Sequence, residues 1–273
     1  MAEKKSKITD IHGEQLVDEY FWLREKTNPA VLEHLKAEEA YTESVMKPTA
    51  ALQEKLYKEM LSHIKQTDTN VPYRWGNYYY YTRTEEGKQY AIYCRRKGSL
   101  DAPEEIVLDQ NELAKGQKFM SIGMFNPSDD GNLLAYSTDN TGYRQFTLQI
   151  KDLRTGQLLP VRVERVNYLV WANDNKTFFY VTEDATTKRS DKFFRHVLGT
   201  DKHDLLYEEK DEIFDIGTGR SRDNKVIFLQ SYSKTSTEVR YLPADDPNAS
   251  LKVILPRQPD HEYDVDHRLG SFF

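Results

Sequence analysis

The sequence predicts an all-β fold with a short α-helical N-terminal segment, the β part being a partial β-propeller of about four blades. The first observation behind this is a unit written four times: a polar turn, a strand, a second strand, another polar turn and a closing strand. The first turns read Arg74-Trp75-Gly76-Asn77, Pro127-Ser128-Asp129-Asp130-Gly131-Asn132, Ala172-Asn173-Asp174-Asn175-Lys176 and Ser221-Arg222-Asp223-Asn224-Lys225. The strands after them begin at Tyr78, Leu133, Thr177 and Val226, which are 55, 44 and 49 residues apart, the period of four-stranded propeller blades. The second observation is a change near residue 70 from helical to strand-and-turn patterning. The third is a supply of 18 Tyr and 12 Phe, residues suited to the pleated, half-buried surface of strands.

Residues 1–70 are expected to form an N-terminal helical segment. Asn28-Pro29 opens a helix, since Asn can accept from the free amides of the first turn and Pro tolerates the first helical position. Val31, Leu32, Leu35, Tyr41 and Val45 supply an apolar stripe that Glu38 and Glu39 interrupt. Pro48 stops this helix and opens a second, in which Leu52, Leu56, Met60 and Ile64 recur every four residues on one face. Two such helices are too few for a core of their own, so they need a partner surface.

From residue 71 to 273 the chain reads as the incomplete propeller, with blades over 71–118, 119–165, 166–212 and 213–256 and the start of a fifth over 257–273. The first blade offers strands at 78–83 and 90–95. The second offers 121–125, 133–138, 146–152 and 157–161, with Gly156 free to take positive φ in the turn Arg154-Thr155-Gly156. The third offers 166–171, 177–182, 192–198 and 204–207. The fourth offers 213–217, 226–232, 238–242 and 251–255. A fifth turn, Asp266-His267-Arg268-Leu269-Gly270, arrives on schedule. Blades bury their faces mainly against neighbours, so the outer faces of the first and last blades are expected to need a cover.

Composition narrows the function. A net charge of -6 lacks the basic stripe of a nucleic-acid binder, and no stretch approaches the length of apolar residues that a membrane span requires. The start Met1-Ala2-Glu3-Lys4-Lys5 is not followed by an apolar signal region. The one cysteine, Cys94, allows no internal disulfide, fits a reducing compartment and reads as strand filling. The expected location is cytoplasmic.

The ordered residues also carry a resemblance. His12-Gly13 and Asp18-Glu19-Tyr20-Phe21-Trp22-Leu23-Arg24 open it, followed by the 78–83 strand leading to Gln89-Tyr90, then by Glu105-Ile106-Val107-Leu108-Asp109. Asp139-Asn140-Thr141-Gly142-Tyr143-Arg144-Gln145, Val170-Trp171-Ala172 and His261-Glu262-Tyr263-Asp264-Val265-Asp266-His267-Arg268 continue it. With these, the chain resembles the N-terminal portion of the prolyl oligopeptidase family of serine peptidases, and most closely its oligopeptidase B branch, over essentially its whole length. The resemblance implies a seven-bladed propeller paired with an α/β-hydrolase catalytic domain, normally in the same chain. It implies that the N-terminal segment wraps onto that domain, and that the propeller admits short peptides and excludes folded proteins. Oligopeptidase B enzymes cut after Lys or Arg, and the prolyl branch after Pro.

On this resemblance Trp22, Leu23, Leu52, Leu56, Met60 and Ile64 are expected to pack on the hydrolase domain. The family's chemistry needs a serine on a strained strand-to-helix turn, then an Asp and a His. No Gly-x-Ser-x-Gly pentad occurs: Gly217-Thr218-Gly219-Arg220-Ser221 has the wrong spacing, and Gly270-Ser271 lies in the fifth repeat. No catalytic residue is assigned, and the chain by itself is expected to be inactive. The alternatives are a free-standing propeller-like protein-binding module and one half of a split peptidase.

No metal and no cofactor is assigned. His261 and His267, with Asp260, Glu262, Asp264 and Asp266 between and beside them, match no zinc spacing and describe an exposed connector. Asp129-Asp130-Gly131 lacks the further ligands of a calcium loop. His63 reads as interfacial. Trp22, Trp75 and Trp171 read as packing residues before stacking platforms. Arg95-Arg96-Lys97-Gly98 reads as a solvated strand end.

Overall fold

In the computed structural model, which describes residues 1–273, the chain divides into two units, Met1–Lys65 and Gln66–Phe273. The first opens with a hairpin that the helical reading of this segment lacked. His12 and Gly13 both take positive φ, 55° and 84°, the turn geometry that suits the twist of a two-residue hairpin. They join β1 (Lys7–Ile11) to β2 (Glu14–Asp18) in antiparallel register. After a 3-10 turn, Phe21–Arg24, comes α1 (Pro29–Met46), started as the Asn-Pro pair requires: Asn28 Oδ1 accepts the Ala30 amide at 3.0 Å. Pro48 sits in the 3-10 turn Lys47–Thr49 that leads into α2 (Ala50–Ser62). Ile64 therefore lies just beyond the helix whose face it was expected to extend.

The second unit holds four antiparallel sheets, each with its four strands paired in chain order. The first contains β3 (Tyr73–Trp75), β4 (Tyr78–Arg83), β5 (Ile92–Lys97) and β6 (Glu104–Asp109). A short helix, α3 (Gln110–Leu113), leads to the second sheet: β7 (Ser121–Pro127), β8 (Leu133–Asp139), β9 (Thr147–Asp152) and β10 (Leu158–Glu164). The third contains β11 (Val166–Trp171), β12 (Thr177–Glu183), β13 (Ser190–Val197) and β14 (His203–Glu208). The fourth contains β15 (Asp215–Arg220), β16 (Val226–Tyr232), β17 (Thr237–Pro243) and β18 (Lys252–Leu255). A two-residue-strand hairpin follows, β19 (His267–Arg268) with β20 (Ser271–Phe272).

The first turn of each sheet shows why the repeat is written as it is. Gly131, Asn175 and Asn224 occupy matching positions and all take positive φ, 70°, 53° and 58°, which only Gly and Asn adopt readily. Ser128 and Ser221 each donate to the Asp two residues on, at 2.6 and 2.7 Å, and accept the amide that starts the second strand. The third turn has Ala172 there, and Thr177 donates to Asp174 instead. In the first sheet Trp75 pairs with Tyr78, so the turn is only Gly76-Asn77, and Arg74 and Trp75 belong to β3. In the fourth, β15 begins at Asp215, and Ile213 is exposed in the linker before it.

Apolar burial lies between successive sheets. Tyr80, Val107, Leu134 and Tyr136 join the first to the second. Leu148, Ile150, Leu169 and Phe178 join the second to the third, and Phe179, Phe193, Ile227 and Leu229 join the third to the fourth. Full burial of each such side chain stabilises by roughly 1.5–3 kcal/mol, so the joints carry the fold. Cations stitch them as well. Arg95 is buried, stacks 4.0 Å over the Tyr78 ring and donates to Gly131 O in the next sheet, so it is no solvated strand end. Lys151 donates to Val107 O at 2.9 Å, and Arg189 donates to the carbonyls of Glu209, Asp211 and Phe214.

Candidate functional site

The first strands of the four sheets line a cavity of about 510 Å³ at the end where the first turns gather. β11 packs against both β7 and β15, and the wall is aromatic: Tyr73 and Trp75 from β3, Phe125 from β7 and Trp171 from β11. Phe125 stacks on Tyr93 at 4.8 Å and meets Tyr80 edge-on at 6.1 Å. Trp171 donates through Nε1 to Asn126 O at 2.9 Å, and Asn126 Nδ2 returns a bond to Leu169 O at 2.8 Å. Trp75 Nε1 is buried without a hydrogen-bond partner. Arg220 and Arg222 add guanidinium groups to the lining. The volume falls in the range of small-ligand sites, and the lining can hold flat or apolar groups.

Nothing in that lining forms a nucleophile with its base. Ser221 is the one serine in it, and its hydroxyl is already committed. It donates to Asp223 Oδ1 at 2.7 Å and accepts the amides of Lys225 and Val226 at 3.1 and 3.0 Å. His267 Nδ1 meets the other oxygen of Asp223 at 2.9 Å. The carboxylate thus stands between hydroxyl and imidazole, where a nucleophilic triad needs the imidazole in the middle. Burial alone would raise the Asp223 carboxyl, but the bonds from Ser221, the Lys225 amide and His267 outweigh it and hold it below the usual range. The separation of 44 positions between Asp223 and His267 hid this trio from sequence reasoning.

The residues expected for domain packing fall in the first unit. Trp22 and Leu23 lie half-buried on the Phe21–Arg24 turn. Trp22 Nε1 donates to Glu3 O at 2.9 Å, Lys5 Nζ sits 4.5 Å over its ring, and His34 of α1 lies 6.5 Å away. Leu52, Leu56 and Met60 share one face of α2 and are 56, 46 and 60 % exposed, with Ile64 at 61 %. That face is bare within this unit.

Two sequence candidates take structural places. Cys94 is fully buried beside Tyr81 and Ile92, and burial pushes its thiol up to about 11, far from a reactive thiolate. His261 tilts over Tyr263 at 5.7 Å while His267 serves Asp223, and no three His, Cys, Asp or Glu side chains converge as metal ligands.

The family model described as the prolyl oligopeptidase N-terminal beta-propeller domain matches residues 1–273. The chain is 40 % identical over 287 aligned positions to Dipeptidyl aminopeptidase BI of Pseudoxanthomonas mexicana, an alignment covering 98 % of this chain and 40 % of that protein. It is 34 % identical to Protease 2 of Moraxella lacunata over 94 % of this chain and 39 % of the relative. Among solved structures, oligopeptidase B from Leishmania major matches with a TM-score of 0.87 and 32 % identity, over 97 % of this chain and 40 % of that one. Oligopeptidase B from Trypanosoma brucei with covalently bound antipain gives 0.87 and 31 %, over 98 % and 41 %. The chain therefore spans about two fifths of the length of these relatives.

Proposed function

The chain belongs to the prolyl oligopeptidase family, and from that membership we propose that it is the N-terminal propeller portion of a serine-type oligopeptidase that hydrolyses short peptides. The observation that carries this is the 40 % identity over 98 % of the chain to a relative of which it covers only 40 %. In this reading the chemistry belongs to an α/β-hydrolase domain in the remaining part of such proteins, and the propeller restricts access to it. On the same reading, a peptide bound for that domain passes the aromatic cavity between the first strands. Residues 1–70 act as the segment that packs on the hydrolase domain, through Trp22, Leu23 and the Leu52, Leu56, Met60 and Ile64 face. Exposure of that α2 face supports the assignment, since apolar patches left bare mark interaction surfaces.

Cleavage after Lys or Arg is the preferred specificity, supported by the likeness to the two oligopeptidase B structures. The cytoplasm is taken as the compartment; a single unpaired cysteine suits it, and no helix is long and apolar enough to cross a membrane. A second reading rests on the name of the 40 % identical relative, a dipeptidyl aminopeptidase: release of dipeptides from free N-termini. Peptides carrying internal Lys or Arg, offered to the protein joined to its hydrolase domain with free and with blocked N-termini, separate the two. Cleavage after the basic residue in both forms supports the first reading. Dipeptides from the free form alone support the second, and no cleavage of either contradicts both.

A further inference from the structure

We propose that Arg220 is a clasp that locks the second, third and fourth sheets into one rigid sector at the cavity end, leaving the joint with the first sheet as the place where the cavity widens. Arg220 ends β15, and its side chain is only 8 % exposed. Nη1 donates to both carboxylate oxygens of Asp129, at 3.0 and 2.9 Å, in the β7–β8 turn two sheets away. Nη2 donates to Asn173 Oδ1 at 2.6 Å in the intervening β11–β12 turn, and to Asn224 O at 3.2 Å in its own turn. A planar guanidinium presents these donors in a fixed fork. One group therefore holds turns from three sheets, and none can leave without breaking a charge-assisted bond.

Contacts between immediate neighbours reinforce the same sector. The Asp130 amide donates to Asn175 Oδ1 at 3.0 Å between the second and third sheets. Arg195 donates to Pro247 O at 3.0 Å between the third and fourth. The first sheet stands outside this arrangement: its inter-sheet bonds, from Arg95 to Gly131 O and from Lys151 to Val107 O, end on the second sheet alone. Tyr73 and Trp75 are thus the movable wall of the cavity, while Phe125, Trp171 and Arg220 form the fixed one. A guest wider than the cavity is admitted by displacement of β3, whatever reaction the whole protein performs.

Hydrogen–deuterium exchange on the intact protein tests this. In Arg220→Met, amides of 129–132 and 173–176, in two other sheets, are expected to exchange at least about tenfold faster together, with β4 and β5 unchanged. Arg220→Lys, which keeps the charge without the fork, is expected to fall between. Acceleration confined to 221–225, or spread evenly through all four sheets, overturns the clasp. Should Arg220→Met fail to fold, Asp129→Asn keeps the side-chain shape and decides: faster exchange at 173–176 and 221–225 supports the clasp, and unchanged exchange there overturns it.

Discussion

His196 shows how one residue sets a condition on the fold. It is buried, its Nδ1 bonds to Lys202 O at 3.0 Å, and its ring lies 4.3 Å from His203 and 5.0 Å from Phe178. Burial and the neighbouring His203 lower its pKa, against smaller opposing effects of Lys202 O and Asp201. A depressed imidazole pKa means that the unfolded chain takes up a proton before the folded one does. Stability is therefore full above the unfolded value near 6.5 and falls as pH drops below it, by up to about 1.4 kcal/mol for each unit of depression. His196→Phe fills the aromatic slot and removes the titration. Its melting temperature is expected to fall less than wild type's between pH 7.5 and 5.5; parallel losses would sink the assignment. Gly131 is a second such residue. A Cβ there would meet the Tyr78 ring, and its φ is +70°, whereas Gly156 has φ +76° with open space around it. Gly156→Ala is expected to cost roughly 1–2 kcal/mol of left-handed strain. Gly131→Ala should cost more in urea unfolding, because Tyr78 and the Arg95 stacked on it must shift as well; equal losses would show that the collision is relieved freely.

At the level of elements, legibility followed burial. The second strands β8, β12 and β16 are buried on nearly every residue and were read within a residue of their bounds, because burial on both faces forces the continuous apolar runs that a sequence displays. The hairpin β1–β2 is exposed throughout, so no apolar alternation announces it, and only the His12-Gly13 turn could have. Arg95 was misread for another reason. Its partner carbonyl lies 36 residues away, and a local charge run says nothing about such a partner. The trio of Ser221, Asp223 and His267 was hidden likewise, by separation along the chain. Helix α2 was legible as an amphipathic element, but what covers its face belongs to tertiary context. Since Leu56 is 46 % exposed, Leu56→Gln is expected to change the stability of the chain by no more than about 0.5 kcal/mol. It should nevertheless weaken association with a hydrolase domain in a binding titration. Undiminished association would remove α2 from the interface.

In the second unit the larger apolar cores lie at the joints between successive sheets, and smaller ones on the outer sides of the first and fourth. Tyr81, Ile92 and Cys94 lie under the Tyr81–Glu104–Arg83 network on the outer side of the first sheet, and Val226, Phe228 and Val239 under Tyr263, Val265 and Tyr241 on the fourth. On the proposed reading, the chain shapes access and a hydrolase domain carries out bond cleavage. Hydrolysis of a Lys- or Arg-containing peptide amide by the purified 273-residue chain tests that division most directly. We predict no turnover above background, and turnover once the hydrolase domain is joined to it. Turnover by the chain alone, abolished by a serine-directed inhibitor, would contradict the account.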